Sequence, residues 1–264
     1  MSKYAKLIQT TWQQYFVYRV NFLAWRVRNI VYLLSFYFLW MAAFQNKTEL
    51  FGYNLPKILG YIFAAQILRS IVLGSRTADL AGEINSGRLS IYLVRPISVL
   101  KYWFSQDIAD KILNLLCLII ELSLVFFLLK PPFFFQTNLP ILILFCLSVF
   151  LGIILYFYID FLLGLIGFWS PETWAPRFLF IWIIQLISGS IFPLDILPKK
   201  ILSLTNLSPF TYLIFFPIKV YLGEISNLKI LSGILICSFW IIFFYVFLKF
   251  VWQKGLKNYS SEGI

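Results

Sequence analysis

Six long apolar runs constrain what this chain can fold into more than any other feature of its sequence. A helix needs roughly 20 mostly apolar residues to cross a bilayer, and each run is close to that length. The runs cover residues 22–44, 58–73, 112–129, 139–159, 178–194 and 230–248. Because 61% of the 264 residues are hydrophobic and only 12% are charged, little sequence remains for a soluble domain. We therefore predict an all-α polytopic membrane protein with six transmembrane helices and a single domain, residues 1–264.

The basic residues between these runs indicate how the helices are oriented. If the N-terminus is cytoplasmic, the inner segments collect most basic residues, including every arginine except Arg69, and the outer segments hold only lysines. Cytoplasmic segments of membrane proteins are enriched in Lys and Arg. We therefore predict a multi-pass protein of the cell (inner, or cytoplasmic) membrane with both termini in the cytoplasm. The net charge of +11 then suits anionic lipid headgroups better than nucleic acid.

Two further segments are expected to lie at the membrane surfaces. In residues 1–21, apolar side chains recur at helical spacing opposite lysines and glutamines, which predicts an interfacial amphipathic helix. An ordinary helical lead-in without a function is the alternative. Near the outer face, Pro193, Asp195 and Pro198 interrupt the apolar sequence. Irregular backbone at membrane depth must be covered by protein or water, so residues 193–222 predict an outer re-entrant hairpin between the fifth and sixth helices.

A polar stretch, LAGEINSGRLSIYLVRPIS at residues 80–98, separates the second and third runs. Its order of residues predicts a short helix over Asp79 to Ser86 that ends at Gly87, and a second piece over Arg88 to Val94. The Arg95-Pro96 pair then breaks the chain before another helix. We interpret residues 74–111 as a structured cytoplasmic loop that docks in a groove of a soluble partner. A solvated loop with a glycine cap is the alternative.

Several pieces of the sequence resemble the permease subunits of ABC-2 type transporters. The segment E-I-x-x-G-x-L-x-x-Y-L-x-R-P at residues 83–96 resembles their first cytoplasmic loop. The later sequences FW at 168–169, SGSIFPLDILP at 188–198 and PFTYLIFFPIKVYLG at 209–223 resemble the C-terminal half of one such family, formerly a family of unknown function. The pieces occur in the family's order across nearly the whole chain.

This resemblance implies a function and a set of site residues. The loop would be a coupling helix that contacts a separate ABC ATPase subunit, and the chain would be the permease subunit of a transporter, an exporter by family analogy. A six-span half would need a second permease, either a homodimer partner or a related chain. The docking residues implied are Glu83, Ile84, Gly87, Arg88, Leu89, Tyr92, Arg95 and Pro96. Glu83, Arg88 and Arg95 would be charged contacts, with Leu89 and Tyr92 as apolar anchors and Gly87 and Pro96 setting the turns.

The sequence carries no ATPase motif of its own. There is no GxxxxGK[ST] loop and no Gly-Lys pair, so ATP and Mg are expected on the partner subunit, and no catalytic residue is assigned. The chain has no histidine, and its three cysteines lie in apolar runs without paired spacing, so neither a metal nor a cofactor is predicted. We predict a protein that is not itself an enzyme.

Three charged residues lie within or at the edge of the apolar runs. Such charges are costly at the bilayer centre and usually face protein or water. Arg69 and Asp160 lie near the cytoplasmic ends of their runs, where Arg69 can snorkel. Glu121 lies near the middle of the third run and is the best candidate for a pathway or interhelical role, with a hydrogen-bonded structural glutamate as the alternative.

Two other functions remain open at this point. A secondary transporter would use intramembrane ionisable residues and an ion gradient, without an ATPase. A membrane-embedded lipid-modifying enzyme is less favoured, because no histidine, cysteine dyad or carboxylate cluster supplies its chemistry. The sequence does not identify the substrate, and it does not identify which helix faces line a pathway.

Overall fold

The computed structural model describes residues 9–13, 15, 19–132 and 134–260, and it is built mainly from ten α-helices. These are α1 (Arg19–Ala43), α2 (Leu55–Ile71), α3 (Leu80–Asn85), α4 (Leu89–Leu93), α5 (Val99–Leu129), α6 (Leu139–Gly164), α7 (Trp174–Ile187), α8 (Lys199–Leu207), α9 (Phe215–Tyr221) and α10 (Asn227–Asn258). Four short 3-10 helices connect them, at Arg76–Asp79, Leu165–Phe168, Leu194–Ile196 and Pro209–Tyr212. Most of the proposed interfacial helix over residues 1–21 falls outside the described residues.

The all-α expectation needs one small correction, because a β-hairpin joins α1 to α2. Strands β1 (Glu49–Leu50) and β2 (Tyr53–Asn54) pair antiparallel around a turn at Phe51 and Gly52. Both turn residues have positive φ, 53° and 80°, which matches the turn type that two-residue hairpins favour. Asn54 then caps α2 by accepting a hydrogen bond from the Lys57 amide.

Each of the six apolar runs coincides wholly or largely with one helix, but the helices differ in their fitness to span a membrane. Within the described residues, α5, α6 and α10 are long and apolar enough, and a fourth span results if α2 is joined to the chain after it across a 42° bend. Helix α7 has only 14 residues. Helix α1 has 25, but Arg26 and Arg28 lie near its start. The structure thus supports a polytopic membrane protein with three or four clear candidate spans.

The region after α7 reverses direction and returns into the protein. The Phe215 amide donates a hydrogen bond of 2.9 Å to the Ser188 carbonyl, which joins the start of α9 to the end of α7. Helix α9 is buried almost throughout and packs against α2 and α6. Between these points lie α8 and two 3-10 turns. Residues 193–222 are therefore a broken, folded-back segment with a buried return, and its re-entry from the outer face of a membrane stays a prediction.

The polar loop is shorter than the predicted range of residues 74–111. Helix α5 already begins at Val99 and continues unbroken to Leu129, so residues 99–111 are its first turns. The ion pair between Asp107 and Lys111, at positions i and i+4, supports helix in this part. The two short helices α3 and α4 lie where the sequence placed them. Gly87 separates them with a φ of 73°, a conformation that glycine adopts without strain.

Apolar side chains form two buried clusters. The larger one lies among α1, α2, α6, α9 and α10. The smaller one lies beneath residues 80–98 and combines side chains from α3 and α4 with others from α5, α6 and α10, among them Trp103, Phe161 and Phe168. The polar segment is thus attached to the long helices by a hydrophobic core of its own.

Candidate docking surface and the polar network beneath it

Residues 80–98, which we call the docking segment, present an outward face with both apolar and charged side chains. Ile91, Leu93 and Val94 are exposed, Val94 to 86% of its full surface. Arg88, Arg95 and Pro96 are exposed beside them. Adjacent exposed apolar side chains bordered by arginine are typical of a protein interaction surface.

The inward face of the docking segment contradicts part of the sequence-based prediction. Leu89 is 0% exposed, and Ile84 is buried beside it in the smaller core cluster. Leu89 therefore has no surface to offer a partner, and its prediction as an apolar anchor for a partner is wrong. Ile84 likewise serves the chain's own core. Both α3 and α4 are too short for hydrophobic periodicity to distinguish their two faces.

Tyr92 lies between the two faces. Its ring centroid is 4.8 Å from that of Tyr102 and 6.5 Å from that of Trp103, so most of its surface is covered from within the chain. Burial and a hydrogen bond with Tyr102 raise the pKa of the Tyr92 phenol above its ordinary value. The side chain therefore stays neutral and contributes mainly apolar surface.

The charged residues of the docking segment form one ion pair. Arg88 lies 3.1 Å from the Glu83 carboxylate, and its Nε donates to the Ser86 hydroxyl at 3.2 Å. Glu83 is the less exposed partner of the pair. Arg95 lies on the exposed side, next to the break at Pro96. Such an exposed pair contributes little to stability but shapes the charge that a partner meets.

Two glycines that the sequence analysis missed let α3 lie close against the end of α6. A Cβ on Gly167 would be 2.9 Å from the Ala81 carbonyl oxygen, and one on Gly164 would be 3.0 Å from Leu80. Both distances are shorter than ordinary van der Waals contact. The Asn85 side chain also donates a 2.9 Å hydrogen bond to the Pro171 carbonyl, on the connection that leads to α7. These contacts hold the docking segment against the long helices.

Tyr259, just after α10, holds the docking segment from another direction. Its hydroxyl donates to the Gly87 carbonyl at 2.5 Å and accepts from the Ser90 amide at 2.9 Å. Both bonds involve the junction of α3 and α4. The Tyr259 ring also packs edge-on against Phe168. No sequence pattern indicated this contact, because it joins residues about 170 positions apart.

A buried ion pair lies directly beneath the docking segment. Asp160, near the end of α6, is 0% exposed and lies 2.5 Å from the Arg177 guanidinium of α7. Its other carboxylate oxygen accepts a hydrogen bond from the Thr77 hydroxyl in the 3-10 turn before α3. One carboxylate thus joins α6, α7 and the segment that leads into the docking segment. The sequence identified Asp160 as a residue of interest but identified neither of its partners.

A second buried group joins the same segment to α5. Lys111 lies 3.2 Å from the Asp107 carboxylate and donates to the Gly74 carbonyl. Both side chains are almost completely buried. Buried charges are tolerated when they are paired and hydrogen-bonded. These two residues were not singled out from sequence, although two opposite charges in the first turns of a long apolar helix are a recognisable signal.

Glu121 and Arg69 have different surroundings from these groups. Glu121 pairs with Arg26 of α1 at 3.4 Å, and Arg26 also donates to the Asn114 side chain. This pairing joins α5 to α1, and a pathway role for Glu121 stays a prediction. Arg69 instead lies with its guanidinium carbon 3.8 Å from the centre of the Tyr32 ring. The structure therefore does not bring Arg69, Glu121 and Asp160 together in one site.

The comparisons with known proteins add one match. The family model described as ABC-2 family transporter protein matches residues 30–263, which is most of the chain. The match confirms the resemblance inferred from the sequence. No curated protein matches the chain.

Proposed function

The chain belongs to the ABC-2 family transporter proteins, and on that premise we propose that it is an export permease driven by a separate ABC ATPase. Membership supports the general role, the multi-pass membrane permease of an ABC transporter. The direction of transport, the ATPase and its mode of attachment belong to the proposal. ATP and Mg would be bound by the ATPase, and this chain would convert the movement of that subunit into movement of its helices.

The outward face of the docking segment is the observation that carries the proposal. A segment that only connected two helices would not need exposed Ile91, Leu93 and Val94 beside two exposed arginines. In the proposed complex these apolar side chains are buried by the ATPase, and Arg88 and Arg95 lie around them with Glu83, Tyr92 and Pro96. Buried apolar side chains at the centre of an interface usually carry most of its binding energy.

The contacts beneath the docking segment supply the proposed route of coupling. The Thr77–Asp160–Arg177 group joins the segment to α6 and α7, and the Lys111 contact to Gly74 joins it to α5. Closely packed groups of this kind move together rather than deform. Displacement of the docking segment by the ATPase would therefore be passed to α5, α6 and α7.

The proposed arrangement in the membrane follows the basic residues. Six helices cross the inner membrane, both termini and the docking segment lie in the cytoplasm, and residues 193–222 re-enter from the outer face. The helices α1 and α7, which are less apolar or shorter than the others, would complete their crossings beside other helices. A second permease, either identical or related, would supply the other half of the pathway.

The proposed attachment is tested by removing the outward apolar side chains. Ile91→Ala combined with Val94→Ala should reduce copurification of ATP hydrolysis activity with the tagged chain by more than about tenfold, since central interface side chains commonly contribute about 2 kcal/mol. Arg88→Ala should mainly make binding less sensitive to salt. The matched control is Leu204→Ala with Leu207→Ala on α8, two equally exposed apolar residues far from the docking segment.

Two results would contradict this proposal. One is that no ATP hydrolysis activity copurifies with the wild-type chain under conditions that keep it folded. The other is transport by the chain alone in vesicles that contain an ion gradient and no ATPase, which would indicate a secondary transporter. Normal membrane insertion of each variant, checked by protease protection, ensures that lost copurification reflects lost binding.

A further inference from the structure

A cavity of about 610 Å³ lies beside the polar network, between α1, α2 and α7 and next to the segment that leads into α3. This volume is within the range of pockets that bind small molecules. Its walls include Arg28 of α1 and Arg69 of α2. Neither residue was connected to the docking surface above, so the cavity requires a separate explanation.

The cavity walls carry more positively charged side chains than negatively charged ones. Four arginines line it, Arg28, Arg69, Arg76 and Arg177, against two carboxylates, Asp79 and Asp110. Arg76 is 3.5 Å from Asp79, and Arg177 is paired with Asp160 behind the wall. Asp110 accepts hydrogen bonds from Tyr15 and Asn114. Arg28 and Arg69 are the two lining arginines without a carboxylate partner among the described residues, and Asp110 offsets part of their positive charge.

Arg28 and Arg69 have no carboxylate partner in the part of the chain that the structure describes. Each guanidinium instead lies against an aromatic ring, Arg28 at 3.7 Å from the centre of Trp25 and Arg69 at 3.8 Å from the centre of Tyr32. Stacking of this kind covers a face of the guanidinium and leaves its N–H edge free to donate. Arg69 is partly buried in a largely apolar helix, where an arginine without a carboxylate partner typically marks a functional site.

The cavity rim has a different character. Trp25 on α1, and Phe178 and Trp182 on α7, are exposed aromatic side chains that also line the cavity. The cavity therefore combines arginine side chains with exposed aromatic ones. That combination suits an anion attached to, or bordered by, an apolar group.

We infer that this cavity binds a phosphoryl group, with Arg28 and Arg69 donating to its oxygens. A carboxylate can be satisfied by one guanidinium fork, whereas a phosphoryl group has enough oxygens to accept from two forks at once. The group is carried either by an anionic lipid headgroup or by a soluble phosphate ester. The claim that the cavity holds a transported substrate rests on the proposed transport function. The claim that it binds a phosphoryl group does not.

The experiment measures binding to the purified full chain without any ATPase. Melting temperature is followed while inorganic phosphate, glycerol 3-phosphate or phosphatidylglycerol is added, with chloride at equal ionic strength and a neutral diacylglycerol as controls. A ligand that binds the folded chain raises its melting temperature with concentration. Binding by phosphatidylglycerol alone identifies a lipid headgroup, whereas equal binding by glycerol 3-phosphate identifies a soluble ester. Either outcome supports the site.

The variant Arg28→Gln with Arg69→Gln should weaken binding by at least about tenfold, since each charged hydrogen bond is worth roughly that factor. The matched control, Arg19→Gln with Lys254→Gln, removes two exposed cations from α1 and α10 that do not line the cavity. If the double glutamine variant does not fold, Arg28→Lys with Arg69→Lys keeps the charge and loses the fork, and it should bind more weakly than wild type.

The inference is overturned if none of the three phosphoryl probes raises the melting temperature more than chloride does. It is also overturned if the folded cavity variant, glutamine or lysine, binds as tightly as the control. Because no ATPase is present, these results do not depend on ATP-driven transport. Loss of ATPase copurification would contradict the proposed function and leave the phosphoryl site standing.

Discussion

The two ends of the helix bundle both contain networks of ion pairs, but they bury them to different depths. At the end that carries the docking segment, Asp160 and Asp107 are 0% exposed. At the opposite end, near the β-hairpin, the side chains of Asp195 and Glu224 remain 25% and 20% exposed. We call these the docking end and the hairpin end.

The hairpin end is organised around Lys219 of α9. Its ammonium group lies 2.6 Å from Asp195 and also contacts Glu224, which lies 3.3 Å from Lys57. The Tyr53 hydroxyl donates to the Asp195 carboxylate at 2.9 Å. Burial, together with the charge of Asp195, raises the pKa of Tyr53 above its ordinary value, so the phenol stays protonated and able to donate.

The difference in burial indicates how much free energy is lost when each network of ion pairs is broken. Partly exposed pairs are screened by water and can lose a member at small cost. A pair whose carboxylate is fully buried, such as Asp160 with Arg177, cannot, because little water reaches the remaining charge to replace its partner. The docking end is therefore held in one arrangement by the cost of breaking it, whereas the hairpin end tolerates local change.

The largest expected effect comes from breaking the buried pair at the docking end. Asp160→Asn keeps the shape and can still accept from Thr77, but it leaves the Arg177 guanidinium, whose side chain is only 14% exposed, without its carboxylate. Breaking a buried pair on one side costs about 3–5 kcal/mol. The free energy of unfolding, measured by denaturant titration in micelles, should fall by that amount.

A double variant shows whether the loss at this position comes from an unpaired charge or from altered packing. Asp160→Asn combined with Arg177→Gln removes both charges and should recover much of the lost free energy. If the single variant cost less than about 1 kcal/mol, like a surface pair, the contrast between the two ends would be wrong.

The close approach of α3 to α6 predicts the next largest effect. Gly167→Ala places a methyl group against the Ala81 backbone, which cannot move aside as a flexible side chain can. Overpacking of this kind costs about 1–3 kcal/mol. It should also loosen the docking segment, seen as faster amide exchange over residues 80–98.

Gly82→Ala is the matched control for this substitution. Gly82 lies in α3 itself, and a Cβ there would meet nothing within 4 Å. Alanine is the better helix former, so this change should be neutral or slightly stabilising. Equal losses from Gly82→Ala and Gly167→Ala would remove the argument that close packing fixes the segment.

Tyr259→Phe tests the hydroxyl that joins the chain after α10 to the docking segment. The ring contact with Phe168 remains, but the bonds to Gly87 and Ser90 are lost, with an expected cost of about 0.5–1.5 kcal/mol. Exchange of the Ser90 amide should accelerate more than that of amides in the middle of α5. Unchanged exchange at Ser90 would show that this hydroxyl does not hold the segment.

The smallest effect is expected at the hairpin end. Asp195→Asn leaves Lys219 in contact with Glu224 and lets Tyr53 donate to the new amide oxygen. The free energy of unfolding should fall by less than about 1 kcal/mol. A loss as large as that of Asp160→Asn would show that partial exposure does not protect this network, and the two ends would then be alike.

Local features of the docking end were predictable from sequence, whereas its contacts were not. Gly87 and the Arg95-Pro96 pair indicated where α3 and α4 end, because backbone conformation depends on the residues at those positions. The helix expected after Pro96 begins at Val99 and runs unbroken into the third apolar run, so residues 99–111, which were counted with the loop, belong to α5. Which face of α4 points inward depends on Trp103, Phe161 and Phe168, which are distant in sequence.

The residues of the ion-pair networks show the same limit of sequence-based prediction. Asp160 and Glu121 were identified because a charge in an apolar run is unusual on its own. Their partners, Arg177 and Arg26, could not be assigned, because pairing depends on how the helices pack rather than on any local pattern. Leu89 was misassigned for the same reason.

The Tyr259 contact also sets an order of events during synthesis. Gly87 and Ser90 leave the ribosome long before α10 is made, and Tyr259 follows α10. The junction of α3 and α4 therefore stays without these two bonds until the last helix has been translated. A chain truncated before Tyr259 would therefore lack both hydrogen bonds that this side chain makes to the junction.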